Sequence, residues 1–221
     1  MTRLYWTVAI GLTILAWAAS AWFYPSLPQR IPTHWNIHGQ VDGYGDKLWA
    51  TFLMPLVTTG MLALFAFLPA LSPKKFEVDA FRPTYLFIMV VVVALFVYIQ
   101  AIILLATWQE VGGGPKWLDV GRALVGGIFV FFALMGNVMG KVRKNFYIGI
   151  RVPWTLASDR VWNDTHRLAA WLMVAGGVVG LIVVLSGLPL PLAFGALAIS
   201  IIVPIAYSFF HYKSLERRGA L

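Results

Sequence analysis

The chain has 221 residues, 60% of them hydrophobic and only 12% charged, with a mean hydropathy of +0.78. A soluble domain carries roughly twice that charge fraction, so the composition excludes a water-soluble fold and leaves no room for a second, soluble domain. The formal net charge of +8 would raise nucleic-acid binding in a soluble protein, but these cations flank apolar runs and no direct nucleic-acid contact is expected; the lack of cysteine removes disulfides, thiolate metal sites and cysteine nucleophiles.

Six apolar runs are long enough to cross a hydrocarbon layer of about 30 Å at roughly 1.5 Å per residue. They cover residues 4–23, 48–71, 84–108, 120–139, 168–185 and 190–210. The expected fold is an all-α polytopic membrane protein, one membrane domain over 1–221. The first run follows Arg3 and contains Ala19-Ser20-Ala21, a pattern that also suits a cleaved signal. It is long for that role and reads as a retained span. The third is free of charge from Thr84 to Gln109. The fourth carries Arg122 near one end, where a long side chain reaches the headgroups.

Loop cations orient the chain. With the N-terminus inside, the inner set is Arg3, Lys74, Lys75, Arg82, Lys141, Arg143, Lys144, Arg151, Arg160, Arg167, Lys213, Arg217 and Arg218. Only Arg30, Lys47, Lys116 and Arg122 remain outside. The reading is a multi-pass membrane protein with both termini in the cytoplasm. Membrane lipids are its first partners, with Lys141, Arg143 and Lys144 meeting anionic headgroups.

Two connections are long. The outer one, residues 24–47, holds Pro25, Pro28 and Pro32, which favour extended or turning backbone, and Gly39, Gly43 and Gly45, which permit positive φ. It presents His34, Asn36, His38, Asp42 and Asp46 at the outer membrane surface, with His34, Asn36, Asp42 and Lys47 as the candidates for ligand contact. His34, His38 and Asp42 are also the weaker candidates for a metal site, but Pro32 and Gly39 leave room for barely one helical turn and no Glu follows the first His. No metal or other cofactor is expected. The inner connection, residues 140–167, offers Asn145, Arg151, Trp154, Thr155, Trp162 and His166. Ser158 is a good N-cap with Asp159 behind it, so a helix is expected to start there and run into the fifth span. On it Asp159, Trp162 and His166 share a face, and Asp164 is placed to pair with Arg160 or Arg167.

The stretch from Gly136 to Lys141 has one residue too few for a phosphate loop, and Val142 stands where Ser or Thr is needed. Gly136-x-x-x-Gly140 and Gly176-x-x-x-Gly180 are better read as close helix-packing faces. Asn137 and Gln100 are polar within spans and must face protein or water. The order of span, long loop, span, short loop, span occurs twice. Phe23-Tyr24 with Arg30-Ile31-Pro32 is matched by Phe146-Tyr147 with Arg151-Val152-Pro153. This suggests two inverted three-helix repeats, 1–110 and 116–212, an arrangement that often sets a binding site between halves.

The inner motif runs from Gly136-Asn137 through Asn145, Gly149-Ile150-Arg151-Val152-Pro153-Trp154-Thr155-Leu156 and Trp162 to Thr165-His166-Arg167. It resembles the signature of the SdpI family. Ile31-Pro32-Thr33-His34-Trp35-Asn36, with Gly39, Asp42-Gly43 and Lys47, resembles the domain that commonly forms the N-terminal half of those proteins. The resemblance implies a bacterial immunity protein that recognises a secreted toxic peptide. It also implies a receptor role, in which a cytoplasmic transcriptional regulator is held at the membrane. His38 is not part of that pattern. Two other readings stand beside it: a small transporter with Gln100 or Asn137 on a polar path, and a metal-dependent membrane enzyme, for which no nucleophile–base constellation is visible.

Overall fold

The computed structural model describes residues 2–36, 40–73, 77–112 and 117–221. Seven α-helices are present among them: α1 Thr2–Phe23, α2 Lys47–Phe67, α3 Arg82–Gly112, α4 Val120–Met139, α5 Pro153–Ala157, α6 Asp159–Leu185 and α7 Leu190–Arg217. All but the short α5 are long and apolar enough to cross a membrane, so this is a multi-pass membrane protein with six candidate spans. Large apolar side chains point outward, among them Trp22 at 82% and Ile202 at 62% exposure. In water such surface would be a liability; in a bilayer the acyl chains cover it.

The helices differ from the apolar runs mainly at their ends. α6 begins at Asp159, not Leu168, because Ser158 caps it, its side chain accepting from the Val161 N–H. Asp119 accepts from the Arg122 N–H at 3.0 Å and holds the Arg122 guanidinium at 3.4 Å, so α4 starts with its cation neutralised. Asp46 caps α2 in the same manner, accepting from Leu48 N–H at 2.8 Å. Hydropathy marks where lipid begins, whereas caps mark where helical hydrogen bonding begins.

The chain forms two compact units, Met1–Phe65 with Met89–Ile128, and Ala66–Ile88 with Phe129–Leu221. In the first, the long connection is an antiparallel hairpin, β1 Arg30–Trp35 and β2 Val41–Asp46. Ile31 and Leu27 are buried from this side against Ala50, Ile103 and Leu104, with Trp35 packed at the edge. Gly43 and Gly45 are not at positive φ. They are small because a Cβ would lie 2.8 Å from His34 Cβ and 2.9 Å from Thr33 Cγ2, respectively. Strand pairing, not turn geometry, requires them; Gly39 lies outside the described residues. Below the hairpin, buried Gln100 donates to Ser20 Oγ at 2.8 Å and to the Thr51 carbonyl at 2.9 Å. One amide thereby joins α1, α2 and α3.

In the second unit the glycine motifs act as helix-packing faces. A Cβ on Gly136 would stand 2.7 Å from Val174 N, and one on Gly176 would stand 3.0 Å from the Ala196 carbonyl. Gly177, between the motif positions, is as tight, 2.6 Å from Ala133 N, and Gly180 lies flat against the Phe129 ring. Backbones approach this closely only where side chains are absent.

Gly177→Val is therefore expected to destabilise the protein by about 1–3 kcal/mol, the usual cost of overpacking. Thermal melting in detergent checks this. Gly195→Ala, where an added Cβ meets nothing within 4 Å, is the matched control and should melt at or above the wild-type temperature.

Candidate functional site

The second long connection folds around its own side chains. Between α4 and α5 the backbone makes no helix or strand, so its polar groups need other partners. Asn145, fully buried, supplies four bonds. Its amide nitrogen donates to the carbonyls of Arg143 and Ile148 at 2.8 and 3.0 Å, and its oxygen accepts from Tyr147 and Ile148 N–H at 2.7 and 2.8 Å. Only a carboxamide offers two donors and two acceptors in that space.

His166 closes the next turn. Its Nε2 lies 2.9 Å from the Ile150 N–H, which can only donate, so Nε2 accepts and Nδ1 carries the proton toward the Trp162 carbonyl at 2.7 Å. The ring stacks on Trp162 at 4.0 Å, and Trp162 Nε1 donates to the Val142 carbonyl at 2.8 Å. Gly149 crosses this stack at φ +116°, and any Cβ there would collide with His166 Nε2. Thr155 continues the chain of contacts. Its hydroxyl accepts from Val152 N–H at 3.1 Å and shares its proton between the Ile150 and Val152 carbonyls at 2.7 and 2.9 Å. Asn145, Thr155, Trp162 and His166 thus form one core.

Trp154 turns instead to α7, donating to Ser208 Oγ and meeting Phe209 edge-on at 5.2 Å. Arg151 is exposed and makes no ion pair among the described residues. Asn137 is exposed on α4. Asp164 pairs with Arg167 at 2.7 Å, as one of the two sequence options had it, and the other partner is His211 at 3.0 Å, not Arg160. Asp159 reaches across to Lys144 at 2.5 Å. Neither His211 nor Lys144 could be matched to its partner from sequence, because the contacts join distant segments.

The hairpin displays a smaller arrangement. His34 Nδ1 meets Asp42 Oδ1 at 2.5 Å across the strands, with the imidazole 72% exposed. Asn36 ties the hairpin's far end to Gln40, by its own N–H to the Gln40 carbonyl at 2.9 Å and by its side-chain oxygen from Gln40 N–H at 3.0 Å. Lys47 begins α2 with its ammonium 4.6 Å from the Tyr24 ring centre. So His34 and Asp42 come together, while Asn36 and Lys47 serve the ends of the hairpin. His34 lies on a strand, not on the helical turn that an i, i+4 metal pair needs. His38 lies outside the described residues, and no group of three or more His, Asp or Glu gathers at metal-binding distance among those described.

Residues 141–208 match the SdpI/YfhL protein family, and residues 11–59 match a domain of unknown function, DUF1648. The Asn145–His166 core falls within the first of these segments, the His34–Asp42 pair within the second. The chain is also 25% identical to "Immunity protein SdpI" of Bacillus subtilis (strain 168) over 211 residues, 95% of this chain and 96% of that protein. The chain thus carries an SdpI/YfhL family segment behind a DUF1648 segment. No solved structure matches it. Within the SdpI/YfhL-matched segment, the connection between α4 and α5 is held by the side chains of Asn145, Thr155, Trp162 and His166.

Asn145→Ala is expected to cost at least about 3 kcal/mol, since several buried backbone groups lose their partners together. Asn145→Asp, which keeps the acceptor but sets a carboxylate against two carbonyls, should not rescue it. Melting in detergent measures both.

Proposed function

We propose that this protein is a membrane immunity protein that recognises a secreted toxic peptide at the outer membrane surface, with its N- and C-termini in the cytoplasm. The observation that carries the reading is the end-to-end similarity to the Bacillus subtilis immunity protein, which spans nearly all of both chains. The exposed His34–Asp42 pair offers polar atoms of the hairpin that are open to a ligand. A carboxylate-held imidazole on the same hairpin as Tyr44, whose ring lies 5.5 Å under the Arg30 guanidinium, suits the polar end of an amphipathic peptide. The exposed Arg151 is the matching candidate on the other connection, where a cytoplasmic regulator would dock. Asn145, Thr155, Trp162 and His166 would act only through that loop's shape.

A transport reading has less support. Gln100 commits both amide protons to Ser20 and Thr51, and Asn137 lies exposed on α4.

Two experiments check the proposal. Reporter fusions should find the ends of the chain and the 74–75 connection inside, and the hairpin outside. In a toxin-sensitive strain challenged with a panel of secreted antimicrobial peptides, expression of the wild type should protect against at least one. His34→Ala, an exposed change, should cut that protection about tenfold, the effect of one lost charge-assisted contact, with membrane abundance unchanged. Arg151→Ala should keep protection and lose any transcriptional response. Sensitivity of the wild-type strain to every peptide would defeat the immunity reading.

A further inference from the structure

A cleft of about 680 Å³ in the Ala66–Ile88/Phe129–Leu221 unit takes no part in the loop core, apart from resting on Trp162. Glu77, Arg143, Lys144, Asp159 and Asn163 line it. Glu77 precedes the 3₁₀ turn Val78–Phe81 that leads into α3, Arg143 and Lys144 follow the end of α4, and Asp159 and Asn163 lie on the first turns of α6. Three spans start or stop at this level, so the cleft stands at headgroup depth.

Its charges select among ligands. Among the described lining residues two are cations and two are carboxylates. Lys144 is already engaged, its side chain 19% exposed and bonded to Asp159, whose own side chain is 78% exposed. Arg143 is exposed and makes no ion pair among the described residues. A purely anionic ligand on Arg143 would have Glu77 and Asp159 in the same cleft, and a purely cationic one would have Arg143 and Lys144. A ligand carrying both signs satisfies both sets. Guanidinium suits phosphate because its N–H groups match two phosphate oxygens at once, and an ammonium suits the open lone pairs of a carboxylate.

We propose that this cleft binds a phosphoethanolamine group, with the phosphate on Arg143 and the ammonium on Glu77 and Asp159. The group has two sources, the headgroup of phosphatidylethanolamine and a soluble phosphoethanolamine, and the depth of the cleft points to the lipid. This changes the role of the basic cluster after α4. It reads a zwitterion, where sequence alone suggests general attraction to anionic lipid. The site is independent of toxin recognition.

The test uses the full-length protein in a non-ionic detergent, with bound short-chain phosphatidylethanolamine and phosphatidylglycerol counted by native mass spectrometry. Phosphatidylethanolamine should bind about tenfold more tightly, and Arg143→Ala and Glu77→Gln should each weaken it by about that factor. Lys141→Ala, outside the cleft, should change nothing. Displacement of the lipid by free phosphoethanolamine at comparable concentration assigns the site to a soluble ligand; selectivity that survives this competitor assigns it to the lipid. Equal or tighter binding of phosphatidylglycerol by the wild type overturns the proposal whether or not the variants fold. So does unchanged phosphatidylethanolamine binding in both variants.

Discussion

Among the described residues, the connections between spans answer to one constraint: buried backbone that leaves the helix must find its hydrogen bonds inside the protein. Asn145 is the clearest response. A single buried carboxamide replaces four partners that water or a regular ladder would otherwise supply. His166, Thr155 and Trp162 continue the same work over the following residues, each taking backbone groups from a neighbouring turn. Gln109 does so for the connection before α4, accepting from Trp117 and Leu118 N–H at 3.1 and 2.9 Å. The hairpin meets the constraint by pairing two strands with each other.

That requirement separates structure from function among residues that look alike in sequence. Polar side chains engaged on backbone cannot also meet a ligand without opening the loop. Those left at the surface can, among them His34 with Asp42 on the hairpin, Arg151 on the second connection, and Glu77, Arg143 and Asp159 at the cleft. Glycine works in parallel where helices touch. At Gly136, Gly177 and Gly180 the neighbouring backbone or ring occupies the volume of a side chain. At Gly149 the reason is different, a positive φ combined with the imidazole directly above it.

The two long connections share a short text, Arg30-Ile31-Pro32 against Arg151-Val152-Pro153, yet it lies in a strand in one and at the start of α5 in the other. Local propensity did not decide this. Ile31 is drawn into the strand by burial against Leu27 and Ala50. Pro153 opens a helix because Thr155 accepts from Val152 N–H and seals the first turn. Short sequence matches of this kind therefore say little about loop conformation, however similar the flanking spans.

Sequence by itself determined the six spans, the Ser158 cap and the glycine faces. These depend on local quantities: hydropathy over about 20 residues, one side chain beside a helix end, and side-chain volume. It also marked the two connections that carry the distinctive residues, since long polar segments are costly between spans unless they are held. Only the tertiary structure decided which of those residues hold the loop and which face outward. Asn145 and Arg151 are equally polar on paper, but one is fully enclosed and the other exposed. The pairs Lys144–Asp159, Asp164–His211 and Gln100–Ser20 were invisible for the same reason. Each joins segments far apart in the chain, and no local pattern encodes which distant partner folding will bring within 3 Å.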